Sequence, residues 1–455
     1  MDKARLKQFR TALVEADRAL QPTDEFYVPN LHGQAQEDVI TELADDILAR
    51  QPTGSHLFYF TGQRGTGKST ELRRLEVLLQ GEGAQVMRFD SLDFITETEK
   101  ITVESLLLLV AAALAAQAEE LYKQDFLKAT AWTRFAAWLQ TEVEITGVTA
   151  GGLTVKLKEQ QVVITQKIKN LSSPLEWTKQ IQSFAGEIIE FIRSNSRRER
   201  VVIIVDSLER LRGVSGKDQD DMFTHVVSAF AGDFDRLRVP SATVVYATPP
   251  YLSLLADVRN YVSCYALASV RVYGKPIAQD QQTHQRRLPR AEGLEKMRSV
   301  IERRFADWAQ VMAPEALDKL TLASGGDLRH FMQRLVFGVV GKAQFALDRL
   351  PLNADAPIIN LVIDENRGET ERLTVRSEWP LLAYIGRHHK AIAADRGESL
   401  RTLARLFDTR VVLNYRNGEE WFDIHPLLWR LIDALPESAQ TSPSKPNEPE
   451  QPVSA

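Results

Sequence analysis

Eight consecutive residues, Gly62-Gln63-Arg64-Gly65-Thr66-Gly67-Lys68-Ser69, fit the pattern GxxxxGK[ST]. Before them runs His56-Leu57-Phe58-Tyr59-Phe60-Thr61, an apolar stretch that predicts a buried strand. After them, Thr70 to Leu79 carries apolar residues at helical spacing. Strand, glycine-rich loop and helix are the context the pattern requires. The glycines let backbone N–H groups turn toward phosphate oxygens, and the helix N-terminus adds its positive dipole end. Lys68 is expected to reach the β- and γ-phosphates of ATP, and Ser69 to offer its hydroxyl to Mg²⁺. Residues Gly62 to Thr70 are therefore the expected nucleotide cradle. An ordinary glycine-rich turn is the alternative, and the flanking strand and helix argue against it.

The chain has 455 residues, which implies two or three domains. Apolar content of 44% and charged content of 26% are globular values. A net charge of −5 supplies no general attraction to nucleic acid or to an anionic membrane. Cys264 is the one cysteine in the sequence, so no intrachain disulfide forms, and a reducing cytoplasm is the expected location. The apolar run Leu106 to Ala116 is shorter than the ~20 residues that span a bilayer, and a buried helix is expected there. No membrane association is expected.

Helices are predicted over Lys3 to Leu20 and Asp38 to Arg50, so residues 1–52 lead into the core. The core, at 53–95 and 199–274, contains the phosphate-loop strand, Gln85 to Asp90, Val201 to Asp206, Thr243 to Thr248 and a strand from Val262 to Val270. Intervening helices run from Asp220 to Leu237 and from Tyr251 to Val258. Strands alternating with helices predict a parallel sheet covered on both faces. Residues 96–198 are too many for one crossover and are expected to form an inserted domain. In it, helices (Thr102 to Gln117, Phe126 to Glu142, Pro174 to Ser194) flank a β-hairpin at Val148 to Thr165. A polar loop, Lys275 to Arg290, is expected to be mobile and opens a helical lid at 275–350. In 351–435 a strand is expected at Ile358 to Ile363. Two helices follow, then strands flanking Asn417-Gly418, a hairpin-turn signal, and a helix at Pro426 to Leu435. That order is that of a winged-helix-like module. The tail, 436–455, has the composition of a disordered segment.

Val201-Val202-Ile203-Ile204-Val205-Asp206 closes an apolar strand on an acid, the shape of a Walker B strand, and places Asp206 where it can hold Mg²⁺ with Ser69. With the phosphate loop and the lid, the chain resembles the AAA+ superfamily of ATPases, near its origin-recognition-like and STAND-like branches. The resemblance covers Phe26 to about Phe337 without the insertion. It implies that Thr248, closing Val244 to Thr248, is a sensor 1 residue; the alternative is a plain strand-end hydroxyl. It implies that Arg329, in Ser324-Gly325-Gly326-Asp327-Leu328-Arg329, is a sensor 2 arginine; the alternative is a solvated helix arginine. Arg303 and Arg304 become candidates for an arginine finger acting on a neighbouring subunit, or else a basic solvated face. Tyr27 and Val28 resemble the segment that contacts adenine. One departure stands out: the family usually has Glu directly after the Walker B Asp, and here Ser207 does. The first acid is Glu209, either the base that polarises water or a surface acid paired with Arg210 or Arg212.

The resemblance implies an ATPase, slow in turnover, that acts as a switch controlling self-assembly or a protein partner, as in bacterial regulatory and phage-defence ATPases. The alternative is a DNA-associated loader or initiator, using the inserted hairpin (Lys156, Lys158, Lys167, Lys169) or the winged helix. The winged helix offers Arg396, Arg401, Arg405, Arg410, Arg416 and Arg430, but its acids match them and its hairpin tip is acidic, so its charge does not indicate nucleic acid. A metabolic kinase is disfavoured because no acceptor-binding constellation follows the loop.

Overall fold

The structure, a computed structural model, describes residues 1–433 except 16–18, 34–36, 97, 99–100, 145–158, 160–163, 165–166, 169, 211–215, 276–286 and 392–397. The chain divides into two compact units. One comprises Ala19–Asp24 and Gly33–Leu267; the other comprises Met1–Arg18, Glu25–His32 and Ala268–Ala455.

The first unit is built on five strands: β1 (His56–Gly62), β2 (Gln85–Asp90), β3 (Val201–Asp206), β4 (Thr243–Thr248) and β5 (Ser263–Leu267). Their order is β2-β3-β4-β1-β5, and every pairing is parallel. A parallel sheet must be covered on both faces, and its strands read as near-continuous apolar runs. That is why β3, Val-Val-Ile-Ile-Val, was legible. Phe58, Phe60, Val202, Ile204, Val245 and Ala247 face one core together with Leu72, Leu75 and Leu79. Each of these buried side chains other than Ala247 contributes roughly 1.5–3 kcal/mol. The helix over Lys68–Gly81 supplies those leucines, and the helix over Val39–Ala49 adds Ile40, Leu43 and Ile47. The second helix is capped by Asp38, whose carboxylate accepts from Ile40 N at 3.1 Å.

The segment between β2 and β3 belongs to this same unit. Its helix Val103–Tyr122, started by a Thr102/Ser105 capping box, is longer than the apolar run predicted. By length and composition it could cross a membrane, but its residues from Leu106 to Ala115 are buried, and it packs along the helix Pro174–Ser196. An aromatic cluster of Trp132, Phe135, Trp138, Trp177 and Phe184 joins that helix to Thr130–Thr141. Most of the predicted hairpin lies outside the described residues, as do Lys156, Lys158 and Lys169. Glu159 and Ile164, within its span, are helical rather than extended.

In the second unit, helices Ala291–Arg304 and Pro314–Ser324 lead to Leu328–His330, which continues through a π turn at Phe331–Val336 into Phe337–Ala343. The apolar stretch Ile358 to Ile363, expected as a strand, is part of the helix Pro357–Glu371. A short apolar run has no period of its own, and Pro357 at the first helical position, followed by burial of Ile359, Val362 and Ile363 on one face, settles it as helix. Trp379–His388 and Glu398–Asp408 precede an antiparallel hairpin, β6 (Val412–Asn417) and β7 (Glu419–Ile424), joined at Gly418 with φ 73°. Trp429–Asp433 follows. Most of the predicted loop after Lys275, and the C-terminal tail, lie outside the described residues.

Arg287 anchors this unit. Its guanidinium forks onto Asp423 at 2.6 and 3.0 Å, donates to the Gly386 carbonyl at 3.0 Å and stacks 4.3 Å from the Trp429 ring. Removing one partner of a buried pair strands the other. Asp423→Ala should therefore cost about 3–5 kcal/mol, read as a lowered denaturant midpoint. A loss under 1 kcal/mol would show the pair to be solvated.

Candidate functional site

The phosphate loop leaves the C-terminal end of β1 through backbone that few residues can adopt. Gly65 has φ 85° and Gly67 φ 94°, both in the left-handed region that glycine takes without strain. Gly62 has a different reason: a Cβ there would lie 2.9 Å from the Leu267 carbonyl oxygen and 3.2 Å from Lys68 Cδ. Gly67 is the cap of the Lys68–Gly81 helix and offers no side-chain acceptor, so the first-turn N–H groups are not occupied by a cap. Thr66 closes the loop through its hydroxyl, which donates to Gln63 O at 2.8 Å. The Thr70 hydroxyl accepts from Leu20 N at 3.0 Å, tying the helix to the preceding segment.

Lys68 is buried, with a side chain 2% exposed. Its Nζ donates to the carbonyls of Gly62 at 2.8 Å and Gln63 at 2.9 Å, and its third contact is Glu209 Oε1 at 3.2 Å. An ammonium has three donors, and all three are engaged. Glu209 sits in a short turn of helix at Leu208–Arg210, immediately after β3, with a side chain 7% exposed. The reading of Glu209 as a surface acid paired with Arg210 or Arg212 is therefore corrected. Burial beside Lys68 is where its charge is balanced, and Arg212 lies outside the described residues.

Asp206 closes β3 at the same sheet edge. Its Oδ1 accepts from Ser69 Oγ at 3.1 Å and from the Ser207 backbone N–H at 2.8 Å. Burial, then the charge of Glu209, raises its pKa to about 6; the Ser69 hydrogen bond opposes that rise. Ser207 adopts φ 69°, and its hydroxyl donates to Asp90 Oδ2 at 2.9 Å. Asp90 closes β2 in direct register with Asp206. Neither Asp90 nor Ser207 was assigned a role from the sequence, although Gln85 to Asp90 is a second strand ending in an acid. Thr248 closes β4 in register with Thr61 of β1; both hydroxyls are buried and make no hydrogen bond among the described residues. A buried hydroxyl without a partner is costly, and at this edge it is a group a ligand could satisfy.

Lys68, Ser69, Asp206, Glu209 and Thr248 thus converge in the first unit, with Gly62 to Thr70. The remaining candidates lie in the second unit. Arg329, half-buried, donates from Nε to Gln333 at 3.0 Å. Arg303 is exposed and donates to the Glu25 carbonyl at 3.1 Å. Arg304 is buried and donates to the Val300 carbonyl at 2.8 Å. Tyr27 is buried, and Val28 packs on the core around Phe9 and Phe305.

The donor chemistry fits Mg²⁺. A hydroxyl and a carboxylate 3.1 Å apart are hard oxygen ligands of the kind Mg²⁺ takes together with phosphate oxygens and water. Among the described residues no group of three or more His, Cys, Asp or Glu could hold a metal alone.

Two outcomes follow from this geometry. The raised pKa of Asp206 means that the metal-free protein loses stability as pH rises from the unfolded value near 3.8 through about 6. Asp206→Asn keeps the Oδ1 acceptor and removes the charge. Without metal and nucleotide it should be more stable than wild type at pH 7.5, by about 1–3 kcal/mol, and equal to it below pH 4. Melting curves across that range read the difference, and a variant less stable at pH 7.5 would contradict it. The second outcome concerns Glu209, the carboxylate that competes with an incoming phosphate for Lys68. Glu209→Gln should tighten ADP binding roughly 10-fold, because no buried carboxylate is left unpaired; calorimetric titration showing unchanged or weaker binding would refute this.

No protein-family model and no curated protein matches the chain. Among solved structures it is similar to a Walker-type ATPase of Pyrococcus abyssi, at 13% identity and a TM-score of 0.34, covering 90% of this chain and 100% of that one. It is also similar to the Drosophila ORC bound to DNA, at 11% identity and a TM-score of 0.37, covering 95% and 93%. A third is Cdc6p from Pyrobaculum aerophilum, at 12% identity and a TM-score of 0.34, covering 90% and 96%. Overlaps this loose leave the chemistry to the chain's own residues. What the chain itself displays is a parallel five-strand sheet in the order β2-β3-β4-β1-β5, with the glycine-rich loop leaving β1 and an acid closing β3.

Proposed function

We propose that the chain binds ATP with Mg²⁺ and hydrolyses it slowly, as a switch that controls self-assembly or a protein partner. The observation that carries this is the exchangeable counter-ion of Lys68. Phosphate-loop backbone and carbonyls hold the lysine in place, and a single carboxylate, Glu209 at 3.2 Å, neutralises it. Nucleotide phosphates compete for the same ammonium. Binding therefore rearranges the turn after β3, and a nucleotide-dependent rearrangement is what a switch requires.

Ser69 and Asp206 would hold the cation, which when bound supplies positive charge to the phosphates. Lys68 binds and orients the phosphate chain. Once displaced, Glu209 is the carboxylate suited to accept a proton from the attacking water. The Thr248 hydroxyl is placed at the same edge to hold that water or a phosphate oxygen. A base that must first leave a buried ion pair accounts for slow turnover. Arg329 is assigned the sensing role that the resemblance implies. Of the two arginine-finger candidates, Arg303 is the exposed one and the better fitted to reach a neighbouring subunit. Bacterial phage defence is the setting that the AAA+ resemblance brings with it. A DNA-loading role gains no support from the hairpin, where Glu419 and Glu420 stand at the turn and Glu419 pairs with Lys275.

Lys68→Ala should lower ATP affinity at least 100-fold, about 2.7 kcal/mol, and abolish hydrolysis, checked by titration and phosphate release. Mass measurement with and without ATP tests the switch. Assembly should change with ATP in the wild type and stay constant in Lys68→Ala. Arg303→Ala should lose hydrolysis only in the assembled state, and mixing it with Lys68→Ala subunits should restore part of the activity. An ATP affinity unaltered by Lys68→Ala would sink the site; a mass unaltered by ATP would sink control of assembly.

A further inference from the structure

Ser207 occupies the position directly after Asp206, where an acid is expected, and its backbone is in a conformation that a non-glycine residue avoids. With φ 69° it lies in the left-handed region, which is strained for a residue with a side chain. A strained residue beside a functional acid needs something to hold it, and the hydrogen bonds around it form a continuous chain. Leu92 N–H donates to Asp90 Oδ1 at 2.9 Å. Ser207 Oγ donates to Asp90 Oδ2 at 2.9 Å. Ser207 N–H donates to Asp206 Oδ1 at 2.8 Å, and Ser69 Oγ donates to that same oxygen at 3.1 Å. Asp90 and Asp206 are paired in the β2–β3 register, so the chain runs between the ends of adjacent strands. Ser207 is buried, at 2% exposure.

Both donors to Asp206 converge on Oδ1, and among the described residues none meets Oδ2. The carboxylate is therefore held at one oxygen and left open at the other. The turn that places the Ser207 N–H on Oδ1 is the turn with positive φ, and the Ser207 hydroxyl is what Asp90 grips. Asp90 itself is fixed by the Leu92 N–H and by the strand. Support of this kind orients a metal-ligating carboxylate at the level of the groups behind it.

We propose that Asp90 and Ser207 are positioning residues that aim Asp206 Oδ2 at the divalent cation accompanying the nucleotide. This rests on the nucleotide reading above. Asp90 acts through Ser207 and has no contact of its own with substrate in this scheme. The pair takes the place of the acid expected after Asp206 and does a different job, orientation in place of proton transfer.

The test compares ADP affinity by calorimetry in Mg²⁺ and in EDTA, for the wild-type chain, Ser207→Gly and Asp90→Asn. Glycine accepts φ 69° without strain, so Ser207→Gly removes the hydroxyl while favouring the native backbone. Asp90→Asn keeps the volume but only one of the two acceptors. In Ser207→Gly the affinity gained on adding Mg²⁺ should fall about 10-fold, with the affinity in EDTA unchanged. Asp90→Asn should lose part of the gain in the same direction. Mn²⁺ bound in the ADP complex, followed by electron paramagnetic resonance, should weaken in parallel.

A full Mg²⁺ gain in both variants would overturn the proposal. So would an equal loss of affinity in EDTA, which would make Ser207 a support of the phosphate loop. If wild type and Lys68→Ala bind ADP alike, the nucleotide reading fails and the proposal falls with it. A wild-type Mg²⁺ gain that neither variant alters removes only the positioning role.

Discussion

A lysine ammonium buried at 2% exposure is tolerable only with a full set of acceptors and a negative charge close by, and the site is organised around that demand. Gly62 and Gln63 supply two carbonyls, and Glu209 supplies the charge. Because Glu209 holds Lys68, the turn after β3 is pulled against the phosphate loop, and Asp206 is enclosed at the sheet edge. Enclosure beside a second carboxylate is what raises the Asp206 pKa to about 6. The protein therefore holds its acids close together at a cost that a bound cation would relieve. Glu209 Oε2, buried without a hydrogen-bond partner among the described residues, is part of the same unrelieved state.

The sheet explains why these groups meet. In a parallel sheet all strands end on the same edge, so acids and hydroxyls closing separate strands become neighbours regardless of their distance in sequence. Asp90 and Asp206 are paired across β2 and β3, and Thr61 and Thr248 across β1 and β4. The strand β4 lies between β1 and β3, so the contacts of Lys68 with Glu209 and of Ser69 with Asp206 are made across the end of an intervening strand. Thr248 closes β4 at that same edge, and its buried hydroxyl has no hydrogen-bond partner among the described residues.

What could be read from the residues alone follows the same physics. The phosphate loop was legible because φ above zero at Gly65 and Gly67 and close approach at Gly62 restrict residue type, so the chemistry is written locally. The core strands were legible because burial on both faces leaves uninterrupted apolar runs. The stretch Ile358 to Ile363 misled for that same reason: an apolar run without period does not distinguish strand from helix, and Pro357 at the helix start was the signal that decides. The partner of Glu209 could not be read, because it depends on a contact between a turn after β3 and a loop 141 residues earlier. Asp90 was hidden by register, which no spacing along the chain reveals.

The second unit shows how a helix proposed to sense nucleotide is tied to the C-terminal hairpin. Asp327 caps the Leu328–His330 helix by accepting from His330 N at 3.0 Å, and Arg410 holds the same carboxylate at 2.9 and 3.1 Å. His330 Nδ1 lies 3.0 Å from His425 Nε2, and Tyr415 donates to the Gly325 carbonyl at 2.6 Å. Burial lowers the pKa of both imidazoles, so the pair is neutral at pH 7 and shares one hydrogen between two nitrogens. Gly326 is packed so closely that a Cβ would fall 1.8 Å from the Val270 carbonyl oxygen, which leaves the start of the helix no slack. A hairpin and a helix that share a cap, a histidine pair and a glycine contact move as one body. The bonds at Asp327, His330 and Gly325 therefore couple the orientation of the helix that carries Arg329 to that of the hairpin.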